Sequence, residues 1–172
     1  INKIAFTGST QVGKLIQKSL AGRDVGLTLE LGGKAANIVY EDAAIDQAVE
    51  GVVNGIFFNQ GHVCCAGSRL LLQESIHDQF VKKLEKRMQS LRVGNPLDKN
   101  TDIGAINSKE QLDKITSLVN EGVEDGGELF QTQCELPGNG FWFRPSLFTN
   151  VQPSYSIARE EIFGPVLTTL TF

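Results

Sequence analysis

The chain has 172 residues, enough for one domain or for one domain and part of another. It is 41% hydrophobic and 21% charged, with a formal net charge of −4. The sequence has neither the basic stripe of a nucleic-acid-binding protein nor an apolar run of roughly 20 residues that could span a bilayer. Three cysteines without framework spacing argue against disulfides, so we expect a reducing intracellular compartment, with the cytoplasm favoured and mitochondria left open. With only two histidines a zinc site is not expected, and we expect no metal.

The first part of the chain predicts a strand, a glycine turn and a helix. Residues 3–7 read as a short buried strand rather than a secretory leader, and Gly8 begins the turn. The helix that follows stops near Gly22, since glycine is common just past a helix C-terminus. Its apolar face consists of Val12, Leu15, Ile16 and Leu20. Residues 27–31 and 36–40 predict two more strands, separated by a pair of glycines.

A second helix leads to a pair of cysteines. Asp42 is its candidate N-cap, and we expect the helix to end at Gly61. The apolar face is formed by Ile45, Val49, Val52, Val53 and Ile56. Residues 69–73 predict the strand that follows the cysteines.

Two further helices are predicted after that strand. Ser75 and Asp78 resemble a capping box that opens the first of them. Its apolar face, which we interpret as core packing, is formed by Ile76, Phe80, Leu84, Met88 and Leu91. Ser108 starts the second, which a glycine pair at 126–127 closes. The inward residues of that helix are Leu112, Ile115, Leu118, Val119 and Val123.

The end of the chain returns to strands. Residues 128–131 and 165–172 are strand-like, and residues 134–144 read as a loop. Strands that alternate with helices predict a parallel α/β sheet covered on both faces.

The segment 57–69 (FFNQGHVCCAGSR) is the most informative stretch for chemistry. It places Cys64 and Cys65 between a helix and a strand, where a thiol can be held rigidly and still be reached by a substrate. Free cysteines are also common as small buried hydrophobes. The spacing by itself leaves both interpretations open, a nucleophile and a pair of core residues.

Four segments together resemble the aldehyde dehydrogenase family, in the order and at the spacing of that family. They are residues 6–10 (FTGST) with Gly13, residues 29–34 (LELGGK), residues 57–69 and residues 160–165 (EEIFGP). Residues 94–97 (GNPL) and 143–146 (FRPS) are weaker markers, and the resemblance covers the whole chain. Residues 19–22 (SLAG) and 48–53 (AVEGVV) are similar to the branch called aldehyde dehydrogenase 16.

This resemblance implies an α/β fold with a three-layer, parallel-sheet catalytic domain and a remnant of a Rossmann-like cofactor domain. Residues 1–32 would be the C-terminal remnant of the dinucleotide-binding domain. Residues 33–172 would be the catalytic domain, incomplete at its C-terminus. Family members extend well beyond both ends of this sequence, so we expect an excised fragment of a longer parent.

The resemblance also implies that the parent oxidises an aldehyde to a carboxylic acid through a thiohemiacetal and a thioester. Cys64 matches the nucleophile of the family and Glu30 the general base that activates water. The leucines beside Glu30 would desolvate its carboxylate and raise its basicity, although a Glu between leucines is also typical of an edge strand that faces water. Val63 and Cys65 would line the substrate pocket; Phe58 would line it or pack as a buried aromatic residue.

The cofactor that the resemblance implies is NAD, with NADP not excluded. Ser9 would contact the pyrophosphate at a helix N-terminus, and Val12 would pack near the adenine. Thr7 and Gly8 would lie near the nicotinamide, and Leu31 would also contact the cofactor.

The second half of the chain supplies three further cofactor residues by resemblance. Glu161 matches the residue that hydrogen-bonds the nicotinamide ribose, and Phe163 the residue that packs on that side. Gln111 matches a weaker ribose contact, but it is equally well placed as a capping partner of Ser108.

Two other functions are less well supported by the sequence. A silent scaffold that keeps the fold would not need Cys64, Glu30 and Glu161 together. A cysteine hydrolase would pair Cys64 with His62, but no motif supplies the third residue that orients such a histidine. We expect a homo-oligomeric parent with an aldehyde substrate and no nucleic acid or membrane segment, and an isolated fragment that is inactive.

Overall fold

A computed structural model describes all 172 residues of the chain. Its strands are β1 (Lys3–Gly8), β2 (Gly26–Leu31), β3 (Ala36–Val39), β4 (Arg69–Leu72), β5 (Glu128–Gln131), β6 (Ser146–Thr149) and β7 (Val166–Thr171). Its α-helices are α1 (Thr10–Ser19), α2 (Ile45–Phe57), α3 (His77–Met88), α4 (Lys109–Glu124) and α5 (Ser156–Arg159). Two short 3₁₀ helices cover Phe58–Gly61 and Glu74–Ile76. The chain divides into two compact units, Ile1–Gly33 and Lys34–Phe172.

The first unit is a β–α–β unit in which β1 and β2 pair in parallel and α1 connects them. A Cβ at Gly13 of α1 would lie only 2.5 Å from the Leu31 side chain, so glycine is what allows the helix to pack this closely on β2. Little else is buried here, since Val12 and Leu15 of α1 remain exposed. The unit therefore has almost no core of its own.

The second unit is built around a five-stranded sheet in the order β3–β4–β7–β6–β5. Strands β3, β4, β7 and β6 run in parallel, and β5 pairs antiparallel with β6. Side chains on the two faces of the sheet enter two separate cores. Leu147 and Leu167 join the core of α2 and α3, whereas their neighbours Phe148 and Val166 join the core of α4 and α5. The unit is thus a helix–sheet–helix sandwich.

The strand order decides where the segments that carry the family resemblance meet. Three of them come directly before parallel neighbours in the sheet: Lys34 precedes β3, the cysteine turn (residues 63–66) precedes β4, and the EEIFGP turn (residues 160–165) precedes β7. The amino ends of adjacent parallel strands lie at the same edge of a sheet. Segments that are far apart in the sequence therefore converge at one edge of the second unit.

The predicted α/β fold class is confirmed, as are most of the predicted helices and strands. Ser108 is the N-cap of α4, because its Oγ accepts a hydrogen bond from the backbone N–H of Gln111 at 3.1 Å. Strand β6 and helix α5 were not predicted from the sequence, and each is only four residues long. The predicted parallel character of the sheet is confirmed for β3, β4, β7 and β6, and β5 is added antiparallel to β6.

Several local predictions are also wrong. Asp42 does not cap α2, because a turn at 40–43 delays the helix and Ala44 stands at its N-cap. Ser75 forms no capping box, since its hydroxyl donates to Glu41 Oε2 at 2.8 Å. Val123 faces outward, and the strand at 3–7 is at most half-buried because no other sheet of its unit covers it.

Candidate active site

Cys64 and Cys65 occupy the two central positions of a tight turn. The backbone N–H of Ala66 donates to the carbonyl of Val63 at 3.0 Å and closes the turn. Both cysteines are exposed. The interpretation of the pair as core residues is therefore wrong, because the turn presents both thiols at the surface of the second unit.

Three successive left-handed residues lead from α2 into the cysteine turn. The φ angles of Asn59, Gln60 and Gly61 are 49°, 56° and 75°. Such angles are uncommon for residues with a Cβ, and they cluster at functional sites. Side chains hold the segment, since Gln60 Oε1 accepts from the backbone N–H of Gly104 at 3.0 Å and Asn59 Nδ2 donates to the carbonyl of His62 at 3.2 Å. The strained backbone turns the chain away from the axis of α2 and toward the cysteines.

Asn37 of β3 supports the far side of the turn. Its Nδ2 donates to the carbonyl of Gly67 at 2.9 Å, and a Cβ at Gly67 would collide with this amide. The N–H of Gly67 in turn donates to the carbonyl of Gly55 in α2 at 3.0 Å. The segment that carries the thiols is thus bonded to a strand and to a helix, which restricts its movement.

The predicted substrate-pocket residues differ in exposure. Phe58 is 72% exposed, whereas Phe57 just before it is 2% exposed. The alternative of a buried aromatic residue is therefore wrong for Phe58. Val63 is half-buried and packs against the core of α2 and α3. An exposed ring and a fixed aliphatic side chain thus precede Cys64 in the chain.

The EEIFGP turn is tied to α4. Phe163 has a φ of 56°, and the side chain of Gln111 holds this conformation: its Nε2 donates to the carbonyls of Ile162 at 2.8 Å and of Phe163 at 3.0 Å. Lys114, one helical turn further on, donates to the carbonyl of Glu161 at 2.8 Å. Gln111 therefore uses its backbone to complete the N-cap and its side chain to fix the turn.

His62 connects the cysteine turn with the EEIFGP turn. Its ring stacks on the ring of Phe163, with the centroids 5.4 Å apart and the planes at 10°. Nε2 of His62 is buried without a hydrogen-bond partner, and burial lowers the pKa of His62 from 6.5, so the ring is neutral at pH 7. A second contact lies alongside, since a Cβ at Gly61 would collide with the carbonyl of Gly164.

Lys34 lies at the edge where the three segments converge. Its Nζ donates to Ser68 Oγ at 3.5 Å. Burial and the nearby Arg69 lower the pKa of Lys34 from 10.5 to about 8, and the carboxylates of Glu161 and Glu160 oppose part of that shift. The position therefore carries a half-buried cation beside the carboxylate predicted to bind the nicotinamide ribose.

In the first unit, the N-terminus of α1 is open to solvent. Ser9 is the N-cap, and its Oγ accepts from the backbone N–H of Val12 at 3.3 Å. The first turn holds no acidic residue, and Thr7, Gly8, Ser9 and Val12 are all exposed. Because helix N-termini attract phosphate groups, this end of α1 fits the pyrophosphate of a dinucleotide.

Glu30 lies at the carboxyl end of the same two-stranded sheet. The parallel register pairs Glu30 with Thr7 and Leu31 with Gly8. Glu30 is exposed, whereas Leu31 and Leu29 are half-buried. The expectation that these leucines desolvate Glu30 is wrong, because successive side chains of a strand point to opposite faces.

A sequence model of the aldehyde dehydrogenase family matches residues 1–172, the entire chain. The chain belongs to the aldehyde dehydrogenase family. Retinal dehydrogenase 2 of Taeniopygia guttata is 48% identical over 174 aligned residues, which cover 100% of this chain and 34% of that protein. The chain thus spans about a third of the length of the curated relatives it matches.

Solved aldehyde dehydrogenase structures have the same fold. The NAD-dependent aldehyde dehydrogenase from Sinorhizobium meliloti matches with a TM-score of 0.94 and 42% identity, over 100% of this chain and 34% of that one. The NAD⁺ complex of aldehyde dehydrogenase from Bacillus cereus matches with a TM-score of 0.94 and 36% identity, over 100% and 35% of the two chains. The similarity to the aldehyde dehydrogenase 16 branch stays a prediction.

The predicted site residues of this aldehyde dehydrogenase chain fall into two groups. The second unit carries Phe58, Val63, Cys64, Cys65, Gln111, Glu161 and Phe163. The first unit carries Thr7, Gly8, Ser9, Val12, Glu30 and Leu31. Their individual roles stay predictions, as does the assignment of residues 1–32 to a dinucleotide-binding domain.

Three residues near the aldehyde dehydrogenase motifs, Lys34, Lys114 and His62, received no role in the predicted site. Lys34 ends the LELGGK segment, and Lys114 follows Gln111 at the helical spacing that puts both on one side of α4; either pattern could have drawn attention to them. The stacking of His62 on Phe163 had no local signal. No group of three His, Cys, Asp or Glu residues could hold a metal ion, and no helix is both long and apolar enough to cross a membrane.

Proposed function

We propose that the full-length protein containing this chain is an NAD-dependent aldehyde dehydrogenase that converts an aldehyde to a carboxylic acid. The observation that carries the proposal is the exposed Cys64, held on a turn that is bonded to its neighbours, in a chain whose entire length matches the family. A silent scaffold would not require a thiol presented in this way. NADP as an alternative cofactor, a homo-oligomeric parent and an intracellular, cytoplasmic or mitochondrial location belong to the same proposal.

In the proposed reaction Cys64 is the nucleophile. Its thiolate attacks the aldehyde carbon, a C–S bond forms, and the carbonyl oxygen becomes the oxyanion of a thiohemiacetal. Val63, Cys65 and the exposed ring of Phe58 form the part of the substrate pocket that this chain supplies. NAD, when bound, supplies the hydride acceptor through which the thiohemiacetal becomes a thioester.

Glu30 is the proposed base for release of the acid. Its carboxylate removes a proton from a water molecule, the water oxygen attacks the thioester carbon, and the C–S bond breaks to restore the Cys64 thiolate. The exposure of Glu30 leaves the carboxylate accessible to that water. Its position at the carboxyl end of a parallel strand pair is a usual one for functional groups in α/β proteins.

Each unit carries its own proposed cofactor residues. In the first unit, proposed as the remnant of the dinucleotide-binding domain, Ser9 and the N–H groups of α1 would bind the pyrophosphate. Val12 would pack on the adenine, with Thr7, Gly8 and Leu31 nearer the nicotinamide. In the second unit, proposed as the incomplete catalytic domain, Glu161 would bind the nicotinamide ribose. Phe163 and Gln111 would complete that side.

The two cysteines allow a matched test of the nucleophile. In the full-length protein, Cys64→Ala should abolish formation of reduced cofactor from aldehyde, because it removes the thiol that is proposed to attack the aldehyde carbon. Cys65→Ser should retain most of the activity, since Cys65 shares the exposed turn but is not the residue that the family resemblance matches to the nucleophile. Substantial turnover by the Cys64→Ala variant would rule out Cys64 as the nucleophile. A wild-type protein that oxidises no aldehyde would instead favour the silent scaffold.

A further inference from the structure

His62 occupies an unusual place beside the proposed site. It lies two residues before Cys64, where a histidine invites comparison with a cysteine hydrolase. Its pKa is lowered by burial, and its Nε2 lacks a hydrogen-bond partner. Buried polar atoms without partners are rare and destabilising, so their retention calls for an explanation.

The contact that His62 does make is with Phe163. The 5.4 Å centroid distance and the 10° angle between the planes describe an offset parallel stack, a favourable arrangement of two neutral rings. Phe163 needs such support, because its φ of 56° is unfavourable for a residue with a Cβ. Gln111 fixes its backbone through the carbonyl groups, and His62 fixes its ring.

We propose that His62 is a positioning residue that sets the place of the Phe163 ring, and through it the nicotinamide side of the cofactor site, relative to the turn that carries Cys64. The inference rests on the proposed function, because Phe163 is a cofactor contact only in an NAD-dependent enzyme. His62 itself transfers no proton. Its contribution is the face of a neutral aromatic ring, and the close approach of Gly61 to Gly164 brings the two turns together at the same place.

The test compares aromatic and non-aromatic side chains at position 62 in the full-length protein. His62→Leu removes the stack, whereas His62→Phe restores a ring and removes the unpartnered nitrogen. We expect His62→Leu to raise the KM for NAD roughly 2- to 10-fold, the size typical of one aromatic pair. His62→Phe should stay within about 2-fold of wild type, because the stack is what matters. Should His62→Leu not fold, His62→Gln takes its place as the variant without a ring.

A second measurement needs no activity. Hydrogen exchange of the peptide that covers residues 160–165, followed without cofactor, should be faster in His62→Leu and close to wild type in His62→Phe. Equal exchange in wild type and His62→Leu would overturn the inference, as would a His62→Phe variant that behaves like His62→Leu. If the wild-type protein forms no reduced cofactor, the proposed function fails, and the exchange comparison still decides whether His62 holds the turn.

Discussion

At the scale of single residues, Glu30 shows why exposure and chemical role have to be considered together. The alternation of β2 places its carboxylate on the exposed face, away from the flanking leucines. A base for hydrolysis has to meet water and the acyl group at the same time. The exposure of Glu30 on the first unit satisfies the first requirement, and substitution of Glu30 tests the second.

Glu30→Gln should slow release of the acid by roughly 10²–10⁴-fold, the effect of a lost general base. The acyl-enzyme on Cys64 should then accumulate, and intact mass after mixing with aldehyde and NAD would show it. Glu128→Gln is the matched control, since Glu128 is also an exposed strand glutamate but lies on β5, outside the proposed site. An unchanged steady-state rate in Glu30→Gln would exclude Glu30 from the mechanism.

The lowered pKa of Lys34 predicts that this residue makes a pH-dependent contribution to stability. Its pKa is about 8 in the folded chain against 10.5 when unperturbed, so between these values the unfolded chain binds more protons. The free energy of unfolding should therefore rise with pH across that window, and the charged lysine is least favourable below about pH 8. The Lys34→Met variant should lack this rise when the free energy of unfolding is measured by urea unfolding at several pH values from 7 to 10.5.

The control for that experiment is Lys82→Met, which changes an exposed lysine on α3. Lys82→Met should keep the wild-type dependence on pH, because the other titrating groups are unchanged. A Lys34→Met protein with the same pH dependence as wild type would contradict the burial of the Lys34 cation.

At the scale of elements, the connection between α2 and the cysteine turn depends on backbone conformation. Gly61 combines a φ of 75° with close contact to the carbonyl of Gly164, so this position has room for no side chain. The connection is therefore specified by one glycine and by the hydrogen bonds of Asn59 and Gln60.

Gly61→Ala should lower the free energy of unfolding by about 1–3 kcal/mol from the left-handed angle alone, and by more if the Gly164 carbonyl has to move. Gly51→Ala is the matched control: Gly51 lies in α2 with nothing near its Cβ position, and alanine there should add about 0.5–1 kcal/mol. Chemical unfolding of both variants would measure the difference. Equal effects would show that the contact with Gly164 is unimportant.

At the scale of the whole molecule, the two units differ in how much they bury. The second unit has two hydrophobic cores, one on each face of its sheet. The first unit has a two-stranded sheet and a helix whose apolar residues Val12 and Leu15 are exposed. A two-stranded sheet with so little covered surface is only marginally stable by itself.

We predict that the isolated 172-residue chain folds in the second unit yet fails as a dehydrogenase. Hydrogen exchange should be slow in peptides from Lys34–Phe172 and fast in those from Ile1–Gly33. Calorimetry should show weak or no binding of NAD, because few contacts cannot offset the entropy of ordering a flexible dinucleotide. Steady formation of NADH by the purified chain, absent in its Cys64→Ala variant, would disprove the prediction.

The sequence by itself determined the features that depend on neighbours along the chain. Helical periodicity located α2, α3 and α4, the hydroxyl of Ser108 marked the start of α4, and the turn at Gly8 marked the start of α1. The four motif segments were sufficient to indicate the family and the identity of Cys64 and Glu30 as candidates. Each of these features rests on local spacing, which a linear sequence records directly.

Only the tertiary structure decided what depends on contacts between distant segments. Phe57 and Phe58 are adjacent residues of the same type, yet the fold buries the first and exposes the second. The stack of His62 on Phe163 exists because β4 and β7 are parallel neighbours, so that the turns before them meet at one edge of the sheet. Strand order brings these residues together, and strand order results from the packing of the whole second unit rather than from any local pattern.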